Sequence, residues 1–353
     1  MHNCQAQHQE IIRPAPAAKE GARIRLRAPD GVPLGGLVWR HPVPDPRRPV
    51  AVIAPATSVR CSYYGRFAGY LHEHGFEVLT LDYRGIGFSR PASLRGFQAD
   101  WADWGDLDVE AGLQLVEQQW PGQPLHLIGH SIGGLAIGLA PSARKAARLL
   151  TVGAQHAYWR DYDPQQRRRM YLKWHVFMPL VTRLFGYFPG KRLGWLEDTP
   201  AGVVRDWSRM GPELAEHLRQ DMFTGGEREG EILTRRLARI TAPLLAIGLD
   251  DDPFGTPQAL ERLLACYSAS PRQHLRLGPQ HSGGEPIGHF NFFHARFRPT
   301  LWPIALQWLQ EGRIGSNSSE PLSQPHTSLR VEDVQAVAAE AQGETGAGGE
   351  AQT

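Results

Sequence analysis

Leu125-His126-Leu127-Ile128-Gly129-His130-Ser131-Ile132-Gly133-Gly134 runs an apolar segment of strand length into a serine with glycines two residues to either side. Small residues of helical character follow. A serine on so sharp a strand-to-helix turn sits in constrained backbone, and a side chain two residues before or after it would collide there. Gly129 and Gly133 are the residues such a turn requires. The hydroxyl of Ser131 is then held clear of the sheet, and the Ile132 N–H opens a helix, where an unpaired donor and the helix dipole favour negative charge. The plain alternative is a glycine-rich turn with an idle serine.

The segments around this turn alternate. Ile24 and Leu26, then Pro33 to Trp39 beyond the turn Pro29-Asp30-Gly31, read as a hairpin. Val50 to Ala54 is short and β-branched, as in a strand buried on both faces. Helical spacing follows over Tyr63 to His74, a strand over Phe76 to Leu81, a helix over Trp104 to Gln118, then the strand before Ser131, a helix over Ile132 to Leu139 and a strand over Arg148 to Gly153. Strands separated by helices of this length need crossover connections, so the class is α/β with a mostly parallel, doubly wound sheet. Residues 21–154 and 241–312 are expected to form this core. Residues 155–240 break the alternation and read as a helical cap insertion, with Pro179 and Gly186 as punctuation. Residues 1–20 are expected to be a flexible arm and 313–353 a disordered tail.

A serine alkoxide is inaccessible near neutral pH, so a base must take the proton. Among fifteen histidines, His289 is nominated because Ile287-Gly288-His289-Phe290 lies between the last strand and the last helix, at the sheet's carboxyl edge. His281 and His294 compete on spacing alone. The base needs a carboxylate to fix its tautomer, and Asp250-Asp251-Asp252 follows the strand Pro243 to Ile247. Asp252 is favoured because it immediately precedes Pro253, Asp251 is the rival, and Asp250 reads as a turn-capping residue.

These residues resemble the α/β-hydrolase superfamily over about Ala22 to Gly312. The chain order Ser131, Asp252, His289 is that family's order of nucleophile, acid and base, and Asp82-Tyr83-Arg84-Gly85-Ile86-Gly87-Phe88-Ser89 is similar to its D-x-R-G-x-G-x-S turn. More narrowly, Asp82 to Ser93, Trp104 to Asp108, Phe185 to Gly190, Asp251 to Phe254 and Gly288 to Phe290 resemble a bacterial group of α/β hydrolases of unassigned substrate. The resemblance implies a serine hydrolase, of the carboxylesterase type, working through an acyl-enzyme on Ser131. Many relatives carry His-Gly after the third strand, whereas Ile53-Ala54-Pro55-Ala56-Thr57 stands here. Pro55 has no N–H, so the oxyanion donors expected beside Ile132 are Ala56 and Thr57. The insertion corresponds to the family's cap, whose Trp159, Trp174 and Phe177 are expected to line an acyl pocket. An acyltransferase on the same triad and a non-catalytic ligand-binding protein are the alternatives.

Composition narrows the partners. At 353 residues, 41% hydrophobic and 21% charged, the chain has material for a large core, and 38 basic against 36 acidic residues give a net charge of only +2. That balance suggests neither nucleic acid nor an acidic membrane as partner and fits a small-molecule or acyl substrate. Three cysteines without CxxC spacing suggest no zinc site and no disulfide framework, and with no export signal in the first twenty residues a cytoplasmic location is expected. No cofactor is implied. No stretch has the length of a membrane span, although Arg167-Arg168-Arg169 beside the aromatic cap admits peripheral contact with a membrane surface.

Overall fold

The computed structural model describes residues 20–314 and 327–328. Eight strands make the central sheet: β1 (Ala22–Arg27), β2 (Pro33–Trp39), β3 (Val50–Ala54), β4 (Glu77–Asp82), β5 (Leu125–His130), β6 (Arg148–Val152), β7 (Leu244–Leu249) and β8 (Arg272–Leu277). Their spatial order is β1-β2-β4-β3-β5-β6-β7-β8. Pairing is antiparallel from β1 to β2 and from β2 to β4, and parallel everywhere from β4 to β8. Thr327–Ser328 adds a two-residue parallel strand beside β8, within the tail expected to be disordered. The rest of that tail from 315 on, and residues 1–19 of the arm, lie outside the described residues.

Strands buried on both faces carry the continuous apolar runs: every residue of β3, β4 and β5 is buried, whereas edge strand β1 alternates. Alternation of side chains divides the core in two. Val50, Val52, Leu127 and Leu149 face one apolar layer; Ala51, Ile53, Ile128 and Leu150 face the other. The helices between strands, α1 (Gly65–Glu73), α2 (Glu110–Gln119) and α3 (Gly133–Leu139), supply those layers.

The order of the central strands positions the site. The chain leaves β3 for β4 on one side, then crosses back to β5 on the other, so the connections diverge at the carboxyl ends of β3 and β5. A crevice opens at such a switch point. Ser131 follows β5 directly and Pro55 follows β3.

Between β6 and β7 the chain is helical: α4 (Arg167–Tyr171), a π turn over Leu172–Phe177, α5 (Met178–Phe185), α6 (Ala201–Arg209) and α7 (Glu229–Ala238). Pro179, expected to interrupt, does not. The π turn widens the helix immediately before it, which accommodates the proline ring and its missing N–H. Gly186 does end the helix, at φ +80°. Two more helices, α8 (Pro257–Cys266) and α9 (Trp302–Glu311), complete the core.

Helix starts differ from the sequence reading for local reasons. The helix expected from Trp104 begins at Trp101, because Asp100 and Asp103 form a reciprocal cap. The last helix begins at Trp302, where Pro303, which lacks an N–H, falls in the first turn and is tolerated.

Candidate active site

Ser131 has φ +55°, one of three described non-glycine residues in the left-handed region. The turn is locked by Ser131 N donating to the Val152 carbonyl (3.1 Å) and Gly134 N donating to the Ser131 carbonyl (3.0 Å). Space fixes the flanking glycines. A Cβ on Gly133 would lie 2.1 Å from the Ala54 carbonyl oxygen, and one on Gly129 2.5 Å from Gly134 N. Gly133 is therefore where α3 passes against the end of β3.

A row of three side chains meets at this turn. His289 Nε2 lies 2.9 Å from Ser131 Oγ, and His289 Nδ1 lies 2.6 Å from Asp252 Oδ2. All three residues are buried. Asp252 Oδ1 accepts from Phe254 N (2.8 Å). Burial raises the Asp252 carboxyl, but the His289 ring and the Gly255 and Phe254 N–H groups outweigh it and hold it below the usual carboxylate value. An ionised carboxylate on Nδ1 keeps the proton there and leaves Nε2 free to accept from the serine hydroxyl. Such an arrangement can deprotonate a hydroxyl as it attacks a carbonyl carbon and return the proton to a leaving group.

The three consecutive aspartates diverge. Asp251 turns away from the ring and accepts from Ile287 N and Gly288 N, both at 2.8 Å, bracing the loop that carries His289. Asp250 pairs with Arg276 at 2.8 Å. His281 bonds Gly278 N and His294 bonds Arg296 N, both away from Ser131.

The expected oxyanion donors need one correction. Ala56 N–H donates to the Tyr64 hydroxyl (2.8 Å) and is therefore already engaged. The turn bonds formed by Ser131, Gly134, Leu135 and Ala136 leave the Ile132 N–H without a backbone partner among the described residues. Thr57, buried at the cavity wall next to the left-handed Ser58 (φ +57°), is then the remaining donor on the β3 loop.

Tyr64, which the sequence reading passed over, begins a relay. Because its oxygen accepts from Ala56, its own proton faces His130 Nδ1 (2.7 Å), and His130 must carry a proton on Nε2, which donates to the His289 carbonyl (2.8 Å). Burial drives the His130 ring pKa down to about 3, so it stays neutral. The β3 loop, the residue before Ser131 and the backbone of His289 are thus joined by three bonds. Replacing Tyr64 with Phe should leave the Ala56 N–H and His130 Nδ1 unpaired and cost about 1–3 kcal/mol for each, read as a lower denaturation midpoint.

A cavity of 480 Å³ opens over Ser131, the size of a small-molecule site. Of the three aromatics expected to line it, only Trp174 does. Trp159 packs on Tyr171 (4.6 Å between ring centres), and Phe177 is 42% exposed beside Trp195. The walls come instead from Trp101, Trp195, Trp207, Phe254 and Phe290. Phe254 and Phe290 sit two residues and one residue after Asp252 and His289, a proximity that could have flagged them; Trp101 and Trp207 carry no such signal. The polar lining is Gln155, Gln166, Arg169 and Lys173 besides Thr57, Ser131 and His289. Gln155 is buried with its side-chain oxygen unpaired among the described residues. Lys173 Nζ lies 4.1 Å from the Trp195 ring centre and 4.5 Å from that of Trp174. No Asp or Glu lines the cavity among the described residues, and no group of acidic, His and Cys side chains among them could hold a metal ion.

The sequence model of a hydrolase family described as "Serine aminopeptidase, S33" matches residues 45–281 of the chain, which takes in Ser131 and Asp252 and stops short of His289. No curated protein matches the sequence. Among solved structures, a soluble variant of monoglyceride lipase from Saccharomyces cerevisiae with a substrate analogue superposes with a TM-score of 0.57 at 15% identity, covering 86% of this chain and 97% of that one. A thermostable carboxyl esterase from Bacillus coagulans gives 0.52 at 14% identity, over 82% and 98% of the two chains. An esterase of Pyrococcus furiosus gives 0.51 at 14% identity, over 82% and 92%. At these identities the likeness is one of fold.

Proposed function

The chain belongs to the α/β-hydrolase family described as Serine aminopeptidase, S33, and from that premise we propose that it is a serine hydrolase that cuts a carboxylic ester through an acyl-enzyme on Ser131. The observation that carries this reading is the row from Asp252 through His289 to Ser131, at 2.6 and 2.9 Å. Ser131 Oγ attacks the ester carbonyl while its proton passes to His289 Nε2. Asp252 stabilises the imidazolium so formed, and the N–H groups of Ile132 and Thr57 receive the oxyanion. His289 then returns the proton to the departing alkoxide. In the second half His289 takes a proton from water as its oxygen attacks the acyl carbon, the bond from that carbon to Ser131 Oγ breaks, and His289 returns the proton to Oγ, releasing the acid.

The lining of the cavity favours an ester over the aminopeptide of the family's description. An aminopeptidase must hold the charged α-amine of its substrate, for which a carboxylate is the natural partner. Here the charges on the cavity wall are those of Arg169 and Lys173, which repel an ammonium group. The aromatic walls suit an apolar acyl chain, and the unpaired oxygen of Gln155 accepts a hydroxyl or amide N–H from the remainder of the substrate. The helical segment between β6 and β7 is the cap over this pocket.

Measuring turnover of p-nitrophenyl butyrate against alanine p-nitroanilide tests the choice. Ester cleavage with little or no anilide cleavage is expected. Preference for the anilide with a free amine would overturn the ester reading.

A further inference from the structure

The helix that roofs the pocket is apolar on two opposite faces. Met170, Trp174, Met178 and Thr182 are buried, and the first two line the cavity over Ser131. Leu172, Val176, Leu180 and Leu184, offset from that row by two residues and hence by about 200° around the axis, are 61%, 36%, 63% and 77% exposed. Phe177, next to Val176 on the same helix, and Leu193 beyond it are exposed as well. A soluble helix ordinarily carries polar residues on its outward face, and clustered exposed apolar side chains mark a surface that meets something. Six of the eleven large hydrophobics exposed among the described residues fall between Leu172 and Leu193.

Charge says what that partner is. From Pro164 to Leu196 there is no Asp or Glu and there are seven Lys or Arg, so the chain's net charge of +2 is +7 on this segment and −5 on everything else. The near balance of the whole sequence hides this separation. Of the seven cations, only Lys191 has a carboxylate within ion-pair reach among the described residues, Glu197 at 2.9 Å. Arg168 stands one turn before Leu172 on the outward row, and Arg183 and Arg192 adjoin Leu184 and Leu193; all three are exposed. Exposed leucines along the middle of a helix, with unpaired cations at its ends, are complementary to a surface that is apolar within and anionic at its rim. Long cationic side chains reach back to the headgroups while the leucines enter the acyl layer.

We propose that the outward face of the 167–185 helix docks on an anionic lipid membrane, so that the roof of the Ser131 pocket rests on the layer that supplies its acyl substrate. No helix among the described residues is long and apolar enough to cross a membrane, and the contact is a peripheral one. The docking itself does not depend on the hydrolase reading, because it is read by binding alone; only the supply of acyl substrate rests on that reading.

The test is co-sedimentation of the full chain with phosphatidylcholine vesicles, with and without phosphatidylglycerol. Binding should rise about tenfold or more when the anionic lipid is added and fall as salt is raised. The double variant Leu180→Glu/Leu184→Glu, at exposed positions, should lose binding while keeping the wild-type melting temperature and its turnover of a water-soluble short-chain ester. Arg168→Glu/Arg183→Glu should lose the preference for the anionic vesicles. Binding that is absent, indifferent to phosphatidylglycerol or unchanged in both variants would overturn the proposal. So would a wild-type dimer, seen by light scattering, that the leucine variant splits while neither protein binds vesicles, since the face would then belong to a second copy.

Discussion

Replacing His289 with alanine is expected to lower kcat by about 10⁶-fold, as removal of a base that acts as one unit with its nucleophile does. The magnitude follows from the ring's two bonds, 2.9 Å to the Ser131 hydroxyl and 2.6 Å to Asp252. Without the ring no described group is placed to take the proton. Asp252→Asn should cost about 10⁴-fold, because an amide cannot stabilise the imidazolium and presents an N–H that favours the wrong tautomer. Asp251→Asn should cost far less, since it retains one oxygen for the Ile287 or Gly288 N–H and never touches the ring. Steady-state kinetics on a nitrophenyl ester separates the three. The pH profile adds a second reading: the Asp252 carboxyl is held below its usual value, so it stays ionised across the neutral range. Protonation of Asp252 should therefore contribute nothing to the neutral range of the kcat/KM profile, and Asp252→Asn should lower that profile without moving it there.

The second large effect is structural. Gly133→Ala places a methyl group 2.1 Å from the Ala54 carbonyl oxygen and 2.9 Å from both the Ala54 carbonyl carbon and the Pro55 carbonyl oxygen, all backbone atoms that cannot rotate away. The end of β3 and the oxyanion loop must move, or α3 must. Overpacking of this kind costs typically about 1–3 kcal/mol, and here it also shifts Ala56 and Thr57 relative to Ser131. A lower melting temperature together with a loss of turnover is expected. Gly65→Ala serves as the control, because its Cβ would meet nothing nearer than 3.8 Å and Ala is the better helix former. It should leave activity intact and stability unchanged or slightly raised.

The parts of this architecture legible in the sequence are those fixed by local constraint. The strand, glycine turn and helix around Ser131 announce themselves because only that order of residues fits the geometry, and buried strands such as Val50 to Ala54 read as unbroken β-branched runs. The carboxylate was narrower to decide. Asp250, Asp251 and Asp252 are chemically identical neighbours, and only the direction in which each leaves the end of β7 separates a ring contact from a loop brace and an ion pair.

Features that depend on distant segments were not legible. Ala56 is adjacent in sequence to Thr57, yet its N–H is occupied by a hydroxyl eight residues on, across the turn into α1. Trp101 and Trp207 reach the same cavity from elements more than a hundred residues apart, while Trp159 and Phe177, which look equivalent in sequence, face elsewhere. The apolar residues of the 167–185 helix look like core in any one-dimensional reading. Their division into an inward and an outward row needs the position of the helix against the sheet.

The central claim, that Ser131 is the nucleophile, is tested most directly by treating the protein with a fluorophosphonate and locating the adduct by peptide mass spectrometry. A single stoichiometric adduct on Ser131, lost in Ser131→Ala and greatly slowed in His289→Ala, is the expected result. An adduct on another residue, or none on a folded protein that still hydrolyses esters, would contradict it.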